Sequence, residues 1–253
     1  MYTLNNVCAV ITTFRPEKEL RNLVASVAKQ VGHVIVVDDT GDLGGSVRCE
    51  SGVSYVVNSE NLGIAKALNV GVELATEKGY AWILTLDDDT RIADDYVSRV
   101  LEFCNRARDL SLNVGVVALS RGEPSQFSGG PGVEFRRKNA LITSGSLFCS
   151  KAIGSAGGFD NRLFIDLVDI EFCTRLRRNG FDVIQVMSPG MEHHVGNLSV
   201  KRILGLQINV YNHEPFRLYY QVRNAIVFFK TYCWTRPILS TYVLLDIVRI
   251  PAK

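Results

Sequence analysis

The chain has 253 residues, a formal net charge of +2, 47% hydrophobic residues and 21% charged residues. That length and apolar content suit one large domain or two small ones, and they exclude a disordered chain. So small a net charge gives no basis for nucleic-acid binding.

Residues 7–12 form an apolar run that predicts a buried strand. Pro16 stands where a helix would begin, and Leu20, Leu23, Val24, Val27 and Val31 recur at helical spacing up to Gly32. His33-Val34-Ile35-Val36-Val37 predicts a second buried strand, ending in Asp38-Asp39. A Gly-rich loop over 40–46, a short strand over 54–57 and a turn over 58–63 follow. Residues 65–78 predict a helix with Leu68, Val72 and Ala75 inward, stopped by Gly79. Ala81-Trp82-Ile83-Leu84-Thr85-Leu86 predicts a fourth strand that runs into three consecutive acids, Asp87, Asp88 and Asp89. Next come a helix over 94–110 and a strand over 114–120. The polar, Gly- and Pro-containing stretch 121–138 reads either as a mobile loop over a site or as a surface excursion. Residues 140–150 predict an apolar strand containing Ser144-Gly145-Ser146. Residues 157–160 form a turn, 164–178 a helix and 182–187 a last strand.

Apolar strands alternating with helices predict an α/β fold, a mostly parallel central sheet with helices on both faces. Such sheets bind ligands at the carboxyl ends of their strands, where both acidic clusters fall. Adjacent carboxylates repel, so three at the mouth of a buried strand cost stability unless a cation compensates. Strand alternation would set Asp87 and Asp89 on one side, and two hard oxygen ligands suit Mg²⁺ or Mn²⁺ that also holds a phosphate. The other reading is a polar loop start or a helix N-cap. The turn after the first strand, Thr12-Thr13-Phe14-Arg15-Pro16, lacks G-x-G-x-x-G, and no Walker P-loop is present. A nicotinamide or flavin enzyme is therefore disfavoured. The six cysteines contain no CxxC pair, which fits free thiols in a reducing cytosol. The N-terminus runs almost directly into a strand, so no signal peptide is expected. No run reaches the ~18 apolar residues of a bilayer span.

In order and spacing, several segments resemble glycosyltransferase family 2 over roughly residues 7–232. They are Thr12 at the first strand end, Val36-Val37-Asp38-Asp39, Asn61-Leu62-Gly63-Ile64-Ala65, Leu86-Asp87-Asp88-Asp89-Thr90, Ser144-Gly145-Ser146-Leu147, Gly158-Phe159-Asp160 and Phe164-Ile165-Asp166-Leu167-Val168-Asp169-Ile170-Glu171. The resemblance implies the GT-A fold and a nucleoside diphosphate sugar donor, dTDP- or UDP-linked. It assigns Thr12 and Asp38 to base and ribose and sets Asn61 near the nucleotide. It assigns Asp89 to the divalent metal, Mn²⁺ or Mg²⁺, with Asp87 nearer the ribose or a water ligand. Asp88 departs from the family pattern, which often has a neutral residue there. Asp169 matches the general base, with Glu171 as substitute and Asp166 for sugar hydroxyls. By themselves, Asp166, Asp169 and Glu171 could equally be acids favouring a helix N-terminus. One carboxylate opposite a leaving group implies single displacement with inversion. His193-His194-Val195-Gly196 offers a third metal ligand, His193 by the family's His-x-x-Gly and His194 as rival; ordinary loop histidines are the other reading.

The segment Arg217-Leu218-Tyr219-Tyr220-Gln221-Val222-Arg223-Asn224 resembles the rhamnosyltransferase branch, a pattern shared in large part by galactofuranosyltransferases. Arg217 or Arg223 is a candidate diphosphate contact, or else part of a helix anchored on the body. From Pro215 onward six basic residues stand against one acid, Asp246, in an apolar, aromatic context. This tail reads either as a membrane-interface element or as a packing or dimer face. The first reading suits an acceptor carried on a polyprenyl diphosphate. The division expected is a GT-A domain over 1–212 and a helical, basic and aromatic segment over 213–253, in a cytoplasmic protein peripheral to the inner membrane. The expected activity is metal-dependent, inverting transfer of a sugar, rhamnose from dTDP-rhamnose, to a bacterial surface glycan or lipid-linked acceptor. UDP-galactofuranose is the alternative donor. A nucleotidyltransferase and an inactive sugar-binding module are the rivals from other classes.

Overall fold

The computed structural model describes residues 1–16, 18–41, 46–107, 109–122, 134–193, 198–203, 206–211 and 215–246. A 3-10 turn (Leu4–Asn6) leads into β1 (Val7–Thr13), α1 (Glu19–Ala28), β2 (His33–Asp38), β3 (Ser46–Glu50) and β4 (Val53–Val57). Then come α2 (Ile64–Glu77), β5 (Trp82–Asp87), β6 (Thr90–Ile92), α3 (Tyr96–Ala107), β7 (Val114–Arg121), β8 (Phe135–Arg137), β9 (Ser146–Cys149) and α4 (Ser150–Ala156). The remainder comprises α5 (Val168–Arg178), β10 (Asp182–His193), β11 (Leu198–Ile203), β12 (Leu206–Tyr211), α6 (Pro215–Tyr232) and α7 (Pro237–Asp246).

Every residue of β1 is buried, because both faces of its sheet are covered. Val7, Ala9 and Ile11 pack with Val24 and Val27 of α1 and with Tyr96, Val97 and Val100 of α3. Cys8 and Val10, one step out of phase, pack on the other face with Leu68 and Val72 of α2 and Phe172 of α5. The sheet order is β3-β4-β2-β1-β5-β9-β7-β10-β6, with β8 also on β10. Pairing is parallel through β4, β2, β1 and β5 and again between β7 and β10. β9 runs against both β5 and β7 and joins the two parallel blocks. β11 and β12 form a separate hairpin.

The expected elements are present, with informative departures. The strand expected over 140–150 is only Ser146–Cys149, because Gly145 turns the chain at φ +76° and Ser150 already opens α4. The helix expected over 164–178 starts at Val168, since Asp166 and Leu167 have left-handed φ of 64° and 63°. The strand expected over 182–187 continues past an irregularity between Val186 and Pro189 to His193. Alternation cannot set Asp87 and Asp89 on one side, because β5 ends at Asp87 and Asp88-Asp89 turn into β6. The stretch expected as a loop over 121–138 contains the end of β7 and all of β8, with residues 123–133 outside the described set. On α6, Asn224, Phe228 and Tyr232 are buried at four-residue spacing, one stripe facing Leu167 and Ile170. Among the described residues no helix is long and apolar enough to cross a membrane.

Candidate active site

Sheet register brings the first group of residues together. Thr12 is paired with Val37 on one side and Asp87 on the other, and Thr13 with Asp38. Asp38 and Asp87 therefore end the strands on either side of β1, whose last two residues are Thr12 and Thr13, with neighbouring strands about 4.8 Å apart. Asp38 accepts from the Thr40 N–H (2.9 Å) and hydroxyl (2.5 Å), both at Oδ1, so it also caps its own loop. Its neighbour Asp39 is the buried one. It accepts from Asn58 Nδ2 (2.8 Å), Leu62 N (3.0 Å) and Gly63 N (2.8 Å), which fastens the 58–63 turn to the end of β2. Asn61 is exposed, and its Oδ1 accepts from the Gly63 N–H at 3.1 Å.

The acidic turn is braced from both sides. Thr13 donates to Asp88 Oδ2 at 2.5 Å, tying the turn to β1. Ser144 accepts from the Asp87 N–H at 2.9 Å and bonds the Thr90 hydroxyl at 2.6 Å. Burial pushes the Asp88 carboxyl above its ordinary range; the Thr13 bond opposes this, and the charge of Asp89 adds to it. Asp89 is exposed, while Asp87 and Asp88 are half-buried. β10 completes this edge, with His193 paired in register with Thr90, one residue from Asp89. His194 lies outside the described residues. Among the described residues no three His, Cys, Asp or Glu side chains form a ready metal cluster. The turn nonetheless fits a hard cation, which would relieve the repulsion that Asp88 and Asp89 exert on each other.

The second group lies at the start of α5. Asp169, in the first turn, accepts from the Ile170 N–H at 2.8 Å. Burial pushes its carboxyl up; backbone N–H groups oppose the rise and the charge of Asp166 adds to it. Glu171 is buried and fully engaged: Arg175 donates to both oxygens at 2.7 Å, and the Tyr232 hydroxyl donates at 2.6 Å. It ties α5 to α6. Asp166 is held by Arg217 through Nε and Nη2 at 3.0–3.3 Å. Arg223 uses Nη1 to bond the Arg162 carbonyl at 2.8 Å and Asn224 Oδ1 at 2.7 Å, which is the anchoring contact.

The two groups meet at the 61–64 turn. Gly63 has φ +81°, and a Cβ there would sit 2.5 Å from the Phe164 carbonyl oxygen. The Ile64 N–H donates to that same oxygen at 2.8 Å. Beside Asp169, Ile170 lines a cleft of about 650 Å³ with Ala140, Arg177, Arg236, Leu239 and Tyr242.

The roles that Asp39, Thr13, Ser144, Arg217 and Asn224 take in the fold were not legible in the sequence: all five lie in segments named above, but nothing local named their partners.

The profile of glycosyl transferase family 2 matches residues 8–153. The chain is 30% identical over 247 residues to a dTDP-rhamnosyl transferase, RfbF, of Shigella flexneri, covering 89% of this chain and 80% of that one. It is 26% identical over 249 residues to a galactofuranosyltransferase, GlfT1, of Mycolicibacterium smegmatis, covering 86% and 81%. Among solved structures, S. aureus TarS 1-349 superposes with a TM-score of 0.55 at 14% identity, over 96% of this chain and 70% of that one. GalNAc-T7 with UDP, GalNAc and Mn²⁺ gives a TM-score of 0.58 at 14% identity, over 90% and 49%. Both share the GT-A fold, and the chain belongs to glycosyl transferase family 2 as a glycosyltransferase that uses a nucleotide sugar.

Proposed function

We propose that this enzyme transfers rhamnose from dTDP-rhamnose, with inversion, to a bacterial surface glycan or lipid-linked acceptor. The observation that carries the donor is the 30% identity to a dTDP-rhamnosyl transferase, which covers 89% of this chain where the family profile covers residues 8–153. UDP-galactofuranose is the second reading, favoured by the 26% identity to a galactofuranosyltransferase.

In this reading, residues 1–212 hold the donor and the chemistry, and 213–253 form the helical segment. Thr12, Asp38, Asn61 and Asp87 bind the nucleotide, with Arg223 reaching toward the diphosphate. Asp89, Asp87 and His193 would hold Mn²⁺ or Mg²⁺, with His194 the substitute for His193. When bound, the metal supplies positive charge against the diphosphate. Asp169 takes the proton of the acceptor hydroxyl as its oxygen bonds to the anomeric carbon, while the bond to the nucleoside diphosphate breaks. A carboxyl lifted by burial suits this task, because it is a stronger base than an exposed one. With both oxygens engaged, Glu171 is the weaker candidate. Asp166 serves sugar hydroxyls from its clasp with Arg217.

The cleft beside Ile170 supports an amphiphilic acceptor. Among the described residues its lining pairs apolar side chains with Arg177 and Arg236 and includes no acid. Trp234, Ile238, Tyr242 and Leu245 are exposed nearby, which suits the cytoplasmic face of an anionic membrane.

The test is release of nucleoside diphosphate from a panel of dTDP-, UDP- and GDP-sugars with Mn²⁺. dTDP-rhamnose should turn over best, and Asp89→Ala and Asp169→Ala should each lower the rate by roughly 10²–10⁴-fold. Undiminished turnover in both variants would defeat the site assignment. A preference for UDP-galactofuranose would select the second reading.

A further inference from the structure

The 217–224 motif is conspicuous in sequence, yet transfer as derived above gives it little to do. Its side chains converge on one short loop. Arg217, Tyr220 and Asn224 share a face of α6 by their spacing of three and four. Arg217 clasps the Asp166 carboxylate at 3.0–3.3 Å. Tyr220 stacks on Phe164, with ring centroids 4.9 Å apart and planes at 22°. Arg223 bonds the Arg162 carbonyl at 2.8 Å. Asn224, wholly buried, sends Nδ2 to the Ile165 carbonyl at 2.7 Å and the Asp166 carbonyl at 3.1 Å.

That loop is strained. Asp166 and Leu167 are consecutive left-handed residues without being glycine, a conformation that side chains disfavour. It persists only where the surroundings over-determine it. On its other side the loop is held by the 61–64 turn, through the Ile64 bond to the Phe164 carbonyl. The left-handed pair ends directly at Val168, the first residue of α5, and so sets where Asp169 projects.

We propose that α6 is the template of the base-bearing loop, with Asn224 and Arg217 acting as positioning residues for Asp169. This rests on Asp169 being the base. Without the two amide bonds, the 165–166 backbone relaxes toward common φ values and α5 starts in a different orientation. The nucleotide end is built mainly from β1, β2 and β5, and α6 reaches it only through Arg223, which both variants keep, so donor binding survives.

The test compares Asn224→Asp, Arg217→Ala and Asp169→Asn in the full chain. Asn224→Asp keeps the side-chain shape and the acceptor for Arg223 but removes both donated bonds. Release of nucleoside diphosphate from dTDP-rhamnose or UDP-galactofuranose with Mn²⁺ gives kcat and donor KM, and calorimetry with dTDP or UDP gives affinity. Asn224→Asp should lose on the order of 100-fold in kcat, the scale of a 1 Å misplacement. Arg217→Ala should lose less but in the same direction, with nucleotide affinity within about two-fold of the parent in both and donor KM within about two-fold in Asn224→Asp. A purely structural role would lower thermal stability and leave kcat per folded molecule unchanged. If Asn224→Asp does not fold, Arg217→Ala decides. Parental kcat in the folded α6 variants, alongside an inactive Asp169→Asn, overturns the positioning role alone. Full turnover in Asp169→Asn removes the base assignment itself.

Discussion

Tyr232→Phe isolates one contact in the joint between α5 and α6. The Tyr232 hydroxyl donates to Glu171 Oε1 at 2.6 Å, and the two residues are 2% and 5% exposed. Phenylalanine keeps the ring packed against Phe228, 4.7 Å between centroids, so no cavity forms and only the donor is lost. A hydrogen bond to a charged group contributes about 1.5–3 kcal/mol. The larger cost of stranding a buried charge, about 3–5 kcal/mol, is avoided because Arg175 still pairs with Glu171. For a chain of this size each kcal/mol moves Tm by roughly 2–4 °C, so the expected fall is roughly 3–12 °C. Thermal scans together with urea titration measure it. The urea midpoint should drop with an unchanged m-value, since the unfolded surface is the same. A variant melting within about 1 °C of the parent would refute the claim that this hydroxyl holds the two helices together.

Alkaline pH should destabilise the fold. Burial pushes the Cys8 and Cys173 thiols up to about 12 and also raises the Cys104 thiol and the Tyr96 and Tyr232 hydroxyls. The native state keeps protons that the unfolded chain releases above about 8.5 for Cys and 10 for Tyr, so stability is complete below that range and falls as pH rises through it. Equal urea midpoints at pH 8 and 10.5 would contradict this. On the acid side, turnover should fall as Asp169 takes up its proton, with a midpoint above the ordinary aspartate value of about 3.9, because burial raises this carboxyl. A kcat/KM flat down to pH 4 would count against it as base. Gly145→Ala should lose about 2–4 kcal/mol, since φ is +76° and the new Cβ would run into Met191 Sδ. Ser144 braces the Asp87 N–H, so affinity for UDP with Mn²⁺ should fall too. Calorimetry showing parental affinity would separate the Ser144 brace from donor binding.

The strand ends were legible because continuous apolar runs report burial on both faces, and a parallel sheet then fixes where ligands gather. Asp38, Asp87 and Asp169 were singled out as candidates in this way or through their resemblance to the family. What sequence hid was mostly left-handed or long-range. Asp166 and Leu167 carry no glycine signal, so the helix was expected to start too early. Pro189 and Gly190 resemble a strand terminator, yet β10 passes through an irregularity there and brings His193 beside Thr90. Asp38 and Asp39 are indistinguishable in a sequence, and only the folded 58–63 turn shows which one is buried. Glu171 and Asp169 share one helical turn, and it takes Tyr232, sixty-one residues away, to tell them apart.

β9 has only four residues, yet it covers the free edge of β5. On the ribosome, β5 is complete at Asp87, long before Ser146 emerges. Throughout that interval the acid-bearing strand is an outer edge with bare amides and carbonyls, open to pairing with a neighbouring nascent chain. Truncations between those two points should therefore self-associate, while those extending beyond Cys149 have that edge closed.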